Sequence, residues 1–386
     1  MTTQSLQAFA NAKLAGLAAG DLRRTLVDTD RSRHARVHRA TGDLISFACN
    51  DYLGLSQHPD VIAASCAATR EFGTGAGASR HVTGNHSLYR ELEQALAAFK
   101  GTEDAVVFGS GYLANIGVIP ALAGTADLIL LDEYCHSCLF AGARLARSHV
   151  LTFAHNDAAA VEALLDEHRT RYRHCLVLTE GVFSMDGDRA PLAALLRSTE
   201  RHDAWLMLDD AHGFGVLENG RGSAVVDGVA LPIPLQMGTL SKALGAYGGY
   251  LCTSRTVTEL IRNRARSLIY TTGLPPGTVA AATKALEIIA SDRELVAKPL
   301  ASARAFASAC SMPQPGSQIV PIVLGSPERA LRASRALEDC GFLVVAIRPP
   351  TVPDGTARLR CTFSAAHAAD EVRDLAAAVA SVLREL

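Results

Sequence analysis

Short apolar runs rich in valine, isoleucine and leucine recur along the chain, each closed by a polar residue or a glycine: "LISFACN", "DAVVFG", "DLILLD", "HVLTFA", "HCLVLTE", "AWLMLDD", "IPLQMG" and "GGYLCT". A strand with one face in water alternates apolar with polar residues, whereas runs apolar throughout suit strands covered on both faces. Between the runs lie helical patterns. In "SLYRELEQALAAF" Leu88, Leu92, Leu96 and Phe99 share one face, as do Val161, Leu164 and Leu165 in "AAAVEALLDEHR". Buried strands alternating with amphipathic helices predict an α/β fold, a mostly parallel sheet between helix layers. From about residue 292 the pattern changes: prolines in "ELVAKPL" and "SMPQPGSQIV" precede "IVPIVLG", a helical "SPERALRASRALEDC", "FLVVAI", "ARLRCTF" and a last helix "DEVRDLAAAVASVLREL". The expected organisation is an N-terminal helical segment over 1–40, a large α/β domain over 41–291 and a smaller C-terminal α+β domain over 292–386.

Charge narrows the class of ligand. With 37 Lys+Arg against 39 Asp+Glu and no long single-sign block, the chain offers no electrostatic footprint for nucleic acid or anionic lipid. The N-terminus lacks a basic start followed by an apolar stretch, and no apolar run approaches the roughly eighteen residues of a membrane span. A cytoplasmic protein with its ligand in a pocket is expected. Of the nine cysteines, seven are scattered as reduced, buried thiols would be, and Cys135 and Cys138 form a C-x-x-C within "DEYCHSCLF". Its strand, loop and helix setting is that of a redox dithiol, but the motif lies mid-chain in a much longer βα series. A zinc site would need two further ligands, and no second C-x-x-C supplies them, so no structural metal is expected.

Two glycine-rich stretches bear on anion binding. "GTGAGASRHVTGN" departs from the G-x-G-x-x-G spacing of a dinucleotide loop and reads equally well as a flexible connection. "AVVFGSGYLAN" places Gly109, Ser110 and Gly111 between a strand and a helix that starts near Tyr112, a setting in which backbone N–H groups can hold a phosphate. Two further segments carry chemistry. "AWLMLDDAHGFG" ends a buried strand in Asp209, Asp210, Ala211 and His212, at the edge where open α/β sheets bind ligands. "MGTLSKALGAYGG" sets Lys242 among small and apolar residues beside Thr239 and Ser241, where poor solvation favours the neutral, nucleophilic amine. A Schiff-base lysine, a carboxylate for a pyridine nitrogen and a phosphate cradle are the protein's share of pyridoxal 5'-phosphate (PLP) chemistry.

The stretches "LDDAHGFGVLENGRG", "GTLSKALGAYGG", "TEGVFSMDGDRAPL", "NDYLGLS" and "IRPPTVPDGTARLR" resemble the α-oxoamine synthases. These are fold-type I PLP-dependent transferases that join an amino acid to an acyl thioester with loss of carbon dioxide. The resemblance implies that Lys242 carries the cofactor and removes the substrate's α-proton, that Asp209 pairs with the ring nitrogen, and that His136 stacks on the ring. It implies further that His212 and Ser184 bond the phenolic oxygen or its surroundings, and that Gly111, Tyr112 and Thr239 hold the phosphate. Thr271 and Thr272 would reach the phosphate from the partner subunit of a homodimer whose sites lie at the junction. Arg348 would bind the amino-acid carboxylate, with Arg23 and Thr351 lining the thioester or product site. "AIRPPTVPDGTARLR" is similar to the branch that uses L-alanine and a pimeloyl thioester, carried by coenzyme A or acyl carrier protein, in biotin biosynthesis. Glycine or serine with other thioesters remains the near alternative, and an NAD-linked or dithiol oxidoreductase the distant one. In the family this loop's histidine is commonly followed by alanine and serine, so Ser137 and Cys138 are departures, as is Tyr89 where several relatives have histidine.

Overall fold

The computed structural model describes residues 4–31 and 35–386, so positions 1–3 and 32–34 of the expected N-terminal segment lie outside the described residues. Seven of the short strands form one sheet, in the spatial order Asp104–Phe108, Gly249–Thr253, Leu235–Thr239, Trp205–Asp209, Cys175–Glu180, Leu128–Asp132 and His149–Phe153. All neighbours run parallel except Gly249–Thr253, which is antiparallel to both of its partners. Side chains alternate across the sheet, as a period of two requires. Ile129, Leu131, Leu176, Leu178 and Met207 face the helices Gly111–Leu122 and Ser137–Ala146. Leu128, Leu130, Cys175, Val177, Leu206 and Leu208 face the helices Ala158–His168 and Leu192–Arg201. Double coverage explains why these strands read as unbroken apolar runs.

The parallel strands share a carboxyl edge, so their last residues line up: Asp132, Glu180, Asp209 and Thr239. Register puts Glu180 directly opposite Asp209, and Asp209 opposite Met237. This polar rim on an apolar sheet is where the chemistry-bearing loops emerge.

A smaller unit is built on the antiparallel sheet of Ile319–Gly325, Ala357–Thr362 and Val345–Ile347, covered by the helices Arg293–Ala309, Pro327–Asp339 and Ala369–Arg384. Two features differ from the sequence reading. "FLVVAI" splits into Phe342–Leu343 and Val345–Ile347, which serve two different sheets. "LISFACN" belongs not to the large sheet but to a hairpin, Arg36–Arg39 with Gly42–Ser46, that pairs in parallel with Phe342–Leu343, and Phe47 enters the smaller unit's core. The hairpin straddles residue 41, the expected start of the large domain. Before it, the helix Gln4–Ala19 buries none of its side chains and leaves Leu6 and Phe9 exposed. The two units meet closely at Gly187, where a Cβ would lie 2.2 Å from the Ile319 carbonyl oxygen and where φ is +71°. Only glycine meets both demands without strain. No described helix is long and apolar enough to cross a membrane.

Candidate active site

Lys242 follows the Leu235–Thr239 strand and reaches back over the carboxyl edge. Its Nζ lies 2.6 Å from His212 Nε2, and His212 Nδ1 lies 2.6 Å from the Tyr52 hydroxyl. The His212 carbonyl accepts from Gln318 Nε2 at 2.8 Å, so the histidine is held at ring and backbone alike. Burial pushes the His212 pKa well below its ordinary value, and the charges of Lys242 and Arg360 push it the same way. His212 is therefore a neutral hydrogen-bonding partner for the lysine. Burial also lowers the Lys242 pKa to about 8, against the upward pull of Asp209 and Glu180. An amine of this kind is free-base for a substantial fraction of the time near neutrality, as a nucleophile or proton acceptor must be.

Asp209 is buried, and its two oxygens are separately engaged: Oδ2 accepts from Asn115 Nδ2 at 2.8 Å and Oδ1 from the Ala211 N–H at 3.0 Å. Beside it, Glu180 accepts the backbone N–H groups of His136 and Ser184. Burial and the neighbouring Asp209 raise the Glu180 pKa to about 8. Two adjacent buried carboxyls cannot both ionise cheaply, which holds the Glu180 proton more tightly. His136 caps the helix Ser137–Ala146, its Nδ1 accepting from the Cys138 N–H at 3.3 Å with the Cys138 sulfur 2.9 Å away. Burial lowers the His136 pKa.

The cysteines beside it are not a redox pair in waiting. All nine cysteines are free, burial raises the Cys138 thiol to about 12, and burial with Glu180 raises Cys135 well above the usual thiol value. A reactive dithiol needs a depressed pKa. Cys138 instead fills a polar gap, accepting from Asn115 Nδ2 at 3.0 Å.

The start of the helix Gly111–Leu122 offers an anion cradle. Ser110 Oγ accepts the Leu113 N–H at 3.1 Å, which leaves the Gly111 and Tyr112 N–H groups without a partner inside the helix. A Cβ on Gly111 would stand 3.3 Å from Met237 and 3.4 Å from Thr239, and one on Gly249 would stand 2.4 Å from the Ser110 carbonyl. Close approach here depends on glycine. Thr239 Oγ1 donates to the Gly248 carbonyl at 2.9 Å and lies 2.8 Å from Ser241 Oγ. Within one chain Thr271 packs beside Gly109, 3.9 Å from where a Cβ would sit, and Thr272 pairs with Ser79. The buried Tyr89 anchors this turn by accepting the Leu274 N–H.

The structure thus gathers Lys242, Asp209, His212, His136 and Ser184 at one strand edge, with Gly111, Tyr112 and Thr239 at the adjoining helix start. Arg23, Arg348 and Thr351 lie elsewhere, lining a cleft of about 650 Å³ that includes none of those residues. There Arg348 donates to the Asp21 carbonyl, and Thr351 Oγ1 accepts from Arg24 at 2.9 Å. The guanidinium that does enter the Lys242 cluster is Arg360. It donates to the Ser184 carbonyl through Nε and to Asn50 Oδ1 at 3.2 Å through Nη1, while Nη2 is buried with no hydrogen-bond partner among the described residues. Sequence reasoning missed Arg360, Asn50, Tyr52, Asn115 and Glu180. All five lie in stretches already singled out, but their inward orientation is set by strand register and tertiary contact.

The aminotransferase class I and II family model matches residues 42–379. The chain belongs to that family and, within it, to the α-oxoamine synthases. It is 59% identical over 341 residues to the 8-amino-7-oxononanoate synthase of Methylocella silvestris, covering 88% of this chain and 97% of the relative. Among solved structures it is similar to the serine palmitoyltransferase of Sphingomonas wittichii, with TM-score 0.92 and 30% identity over 100% of this chain and 98% of the other. It is also similar to the 8-amino-7-oxononanoate synthase of Francisella tularensis, with TM-score 0.74 and 26% identity over 89% and 98%.

Proposed function

We propose that this protein is a PLP-dependent acyltransferase that condenses L-alanine with a pimeloyl thioester, releasing carbon dioxide and the thiol and forming 8-amino-7-oxononanoate for biotin biosynthesis. The observation that carries the reading is the length-wide identity to enzymes named for that product. The site fits the cofactor: a glycine-lined helix start for a phosphate, a buried Asp209 for a ring nitrogen and an amine poised at about 8. PLP, when bound, supplies an electron sink that stabilises negative charge at the carbon next to the amino group.

The chain's own residues supply the rest. Gly111, Tyr112 and Thr239 hold the phosphate, with Thr271 and Thr272 contributed across a homodimer junction. Asp209, held in line by Asn115 and Ala211, would keep the ring nitrogen charged. His136 would cover the ring, and His212 and Ser184 would border its oxygen. Lys242 Nζ would hold the cofactor and, as a free amine, would take the α-proton, with His212 Nε2, 2.6 Å away, fixing its direction. The unpartnered Nη2 of Arg360, backed by Asn50, receives the amino-acid carboxylate, the part first given to Arg348. Arg348, Arg23 and Thr351 then serve the acyl thioester in their own cleft. We place the protein in the cytoplasm, where nine free cysteines stay reduced.

One observation favours a second reading: the TM-score is higher with serine palmitoyltransferase than with the Francisella enzyme, which points to serine and a long acyl thioester. Product mass decides between them. Purified protein with PLP is offered alanine, glycine or serine against pimeloyl, acetyl, succinyl and palmitoyl thioesters. The proposal expects 8-amino-7-oxononanoate from alanine and pimeloyl thioester as the fastest product, and a serine-derived long-chain ketone as the main product would overturn it.

A further inference from the structure

His155 lies outside the Lys242 cluster, just past the end of the His149–Phe153 strand, and has no part in the reaction as described. Both of its ring nitrogens face carboxylates: Nδ1 is 3.0 Å from Asp132 Oδ1 and Nε2 is 2.7 Å from Asp188 Oδ2. A carboxylate oxygen at each ring nitrogen favours the doubly protonated ring, and Asn156 Nδ2 lies 3.2 Å from Nε2 on the Asp188 side. Burial pulls the pKa down, but the hydrogen bonds to Asp132 and Asp188 overcome it and raise the value to about 10. Asn156, at φ +58°, completes the arrangement, its N–H donating to Asp132 Oδ2 and its Nδ2 to Asp188 Oδ2, each at 2.8 Å.

The two acids belong to the two loops that form the site. Asp132 Oδ1 also accepts the Tyr134 N–H at 2.9 Å, two residues before His136. Asp188 closes the turn from Phe183, its carbonyl accepting the Phe183 N–H at 3.1 Å, and that turn carries Ser184, whose carbonyl takes Arg360 Nε. Ring contacts repeat the pattern. Tyr134 stacks on His155 with centroids 4.5 Å apart at 21°, and the His155 and Phe183 rings meet edge to face at 4.3 Å and 87°.

We infer that His155 is a positioning residue, a cationic pin that fixes the His136 loop and the Ser184–Arg360 loop against each other and so sets the width of the amino-acid site. The inference rests on the roles proposed for His136 and Arg360.

Hydrogen exchange and ligand titration on the PLP-loaded protein test it, using His155→Gln and Asp188→Asn. The second variant keeps a hydrogen-bonding side chain and guards against a folding failure of the first. The expected result is at least about tenfold faster exchange in peptides spanning 133–137 and 183–188, with the 111–122 helix unchanged. L-alanine binding, read from the cofactor absorbance, should weaken about tenfold while kcat at saturating alanine changes less than about threefold. Exchange within twofold of the parent in both loops overturns the inference, as does loosening spread evenly over the chain. If the unaltered protein binds no alanine, the proposed substrate fails, and the exchange result alone decides the pin.

Discussion

Asp209 and Asp210 are adjacent, both buried, and each lies close to a buried or half-buried lysine, yet they do opposite things. Asp210 Oδ2 sits 3.1 Å from Lys100 Nζ, which also donates to the Arg221 carbonyl at 2.7 Å and lies 5.4 Å from the Phe214 ring centre. The side chains of this pair are 0% and 1% exposed, and the Ser223 N–H closes the other side of the carboxylate. Asp209, one residue earlier, spends its oxygens on Asn115 and Ala211, while Lys242 finds a neutral imidazole. A lysine locked to a carboxylate has no lone pair to offer. One that faces a neutral nitrogen in a desolvated site does, and the difference separates a structural ion pair from a reactive amine.

The contrast can be broken at either lysine. Lys242→Ala should lower turnover by about ten-thousandfold or more in a steady-state assay while leaving the thermal midpoint of the cofactor-free protein unchanged or higher. Lys100→Ala strands a buried carboxylate and should cost about 3–5 kcal/mol in denaturant unfolding, yet each molecule that folds should still bind PLP with the parent spectrum. Lys100→Ala that kept full stability would remove the structural reading of that pair.

Titration sharpens the comparison. The folded pKa of Lys242 lies below its unfolded value, about 8 against 10.5, so the unfolded chain binds more protons between those limits. Unfolding free energy of the cofactor-free protein should therefore rise with pH across that window, by up to about 3 kcal/mol from this group. Lys242→Met should remove the rise, measured as the difference between the two proteins at each pH. The smallest expected effects separate the two arginine sites. Arg360→Lys should raise the KM for alanine about tenfold and leave that for the thioester within about twofold, with Arg348→Ala doing the reverse.

The sheet was legible because burial on both faces writes an apolar run into the sequence, and the Cys175–Glu180 and Leu128–Asp132 strands fall where the runs predict. The hairpin Arg36–Arg39 with Gly42–Ser46 was not, since its partner Phe342–Leu343 lies some three hundred residues away and "RVHR" carries no strand periodicity of its own. The site was legible as motifs and less so as geometry. "DDAH" and "SK" named Asp209, His212 and Lys242, but which of two neighbouring acids would serve Lys100 depends on the opposite directions that successive side chains take at a strand end. The arginines of "IRPPTVPDGTARLR" divide in the same way. Arg360 lies in the fully buried Ala357–Thr362 strand and is turned toward Asn50, whereas Arg348 precedes it in a loop that opens on a separate cleft.

Borohydride reduction of the PLP-loaded protein, followed by peptide mapping, puts the central assignment to its most direct test. The account predicts one reduced pyridoxyl group, on the peptide that contains Lys242. A label on Lys100, or no label on any lysine of a protein that binds PLP, would contradict it.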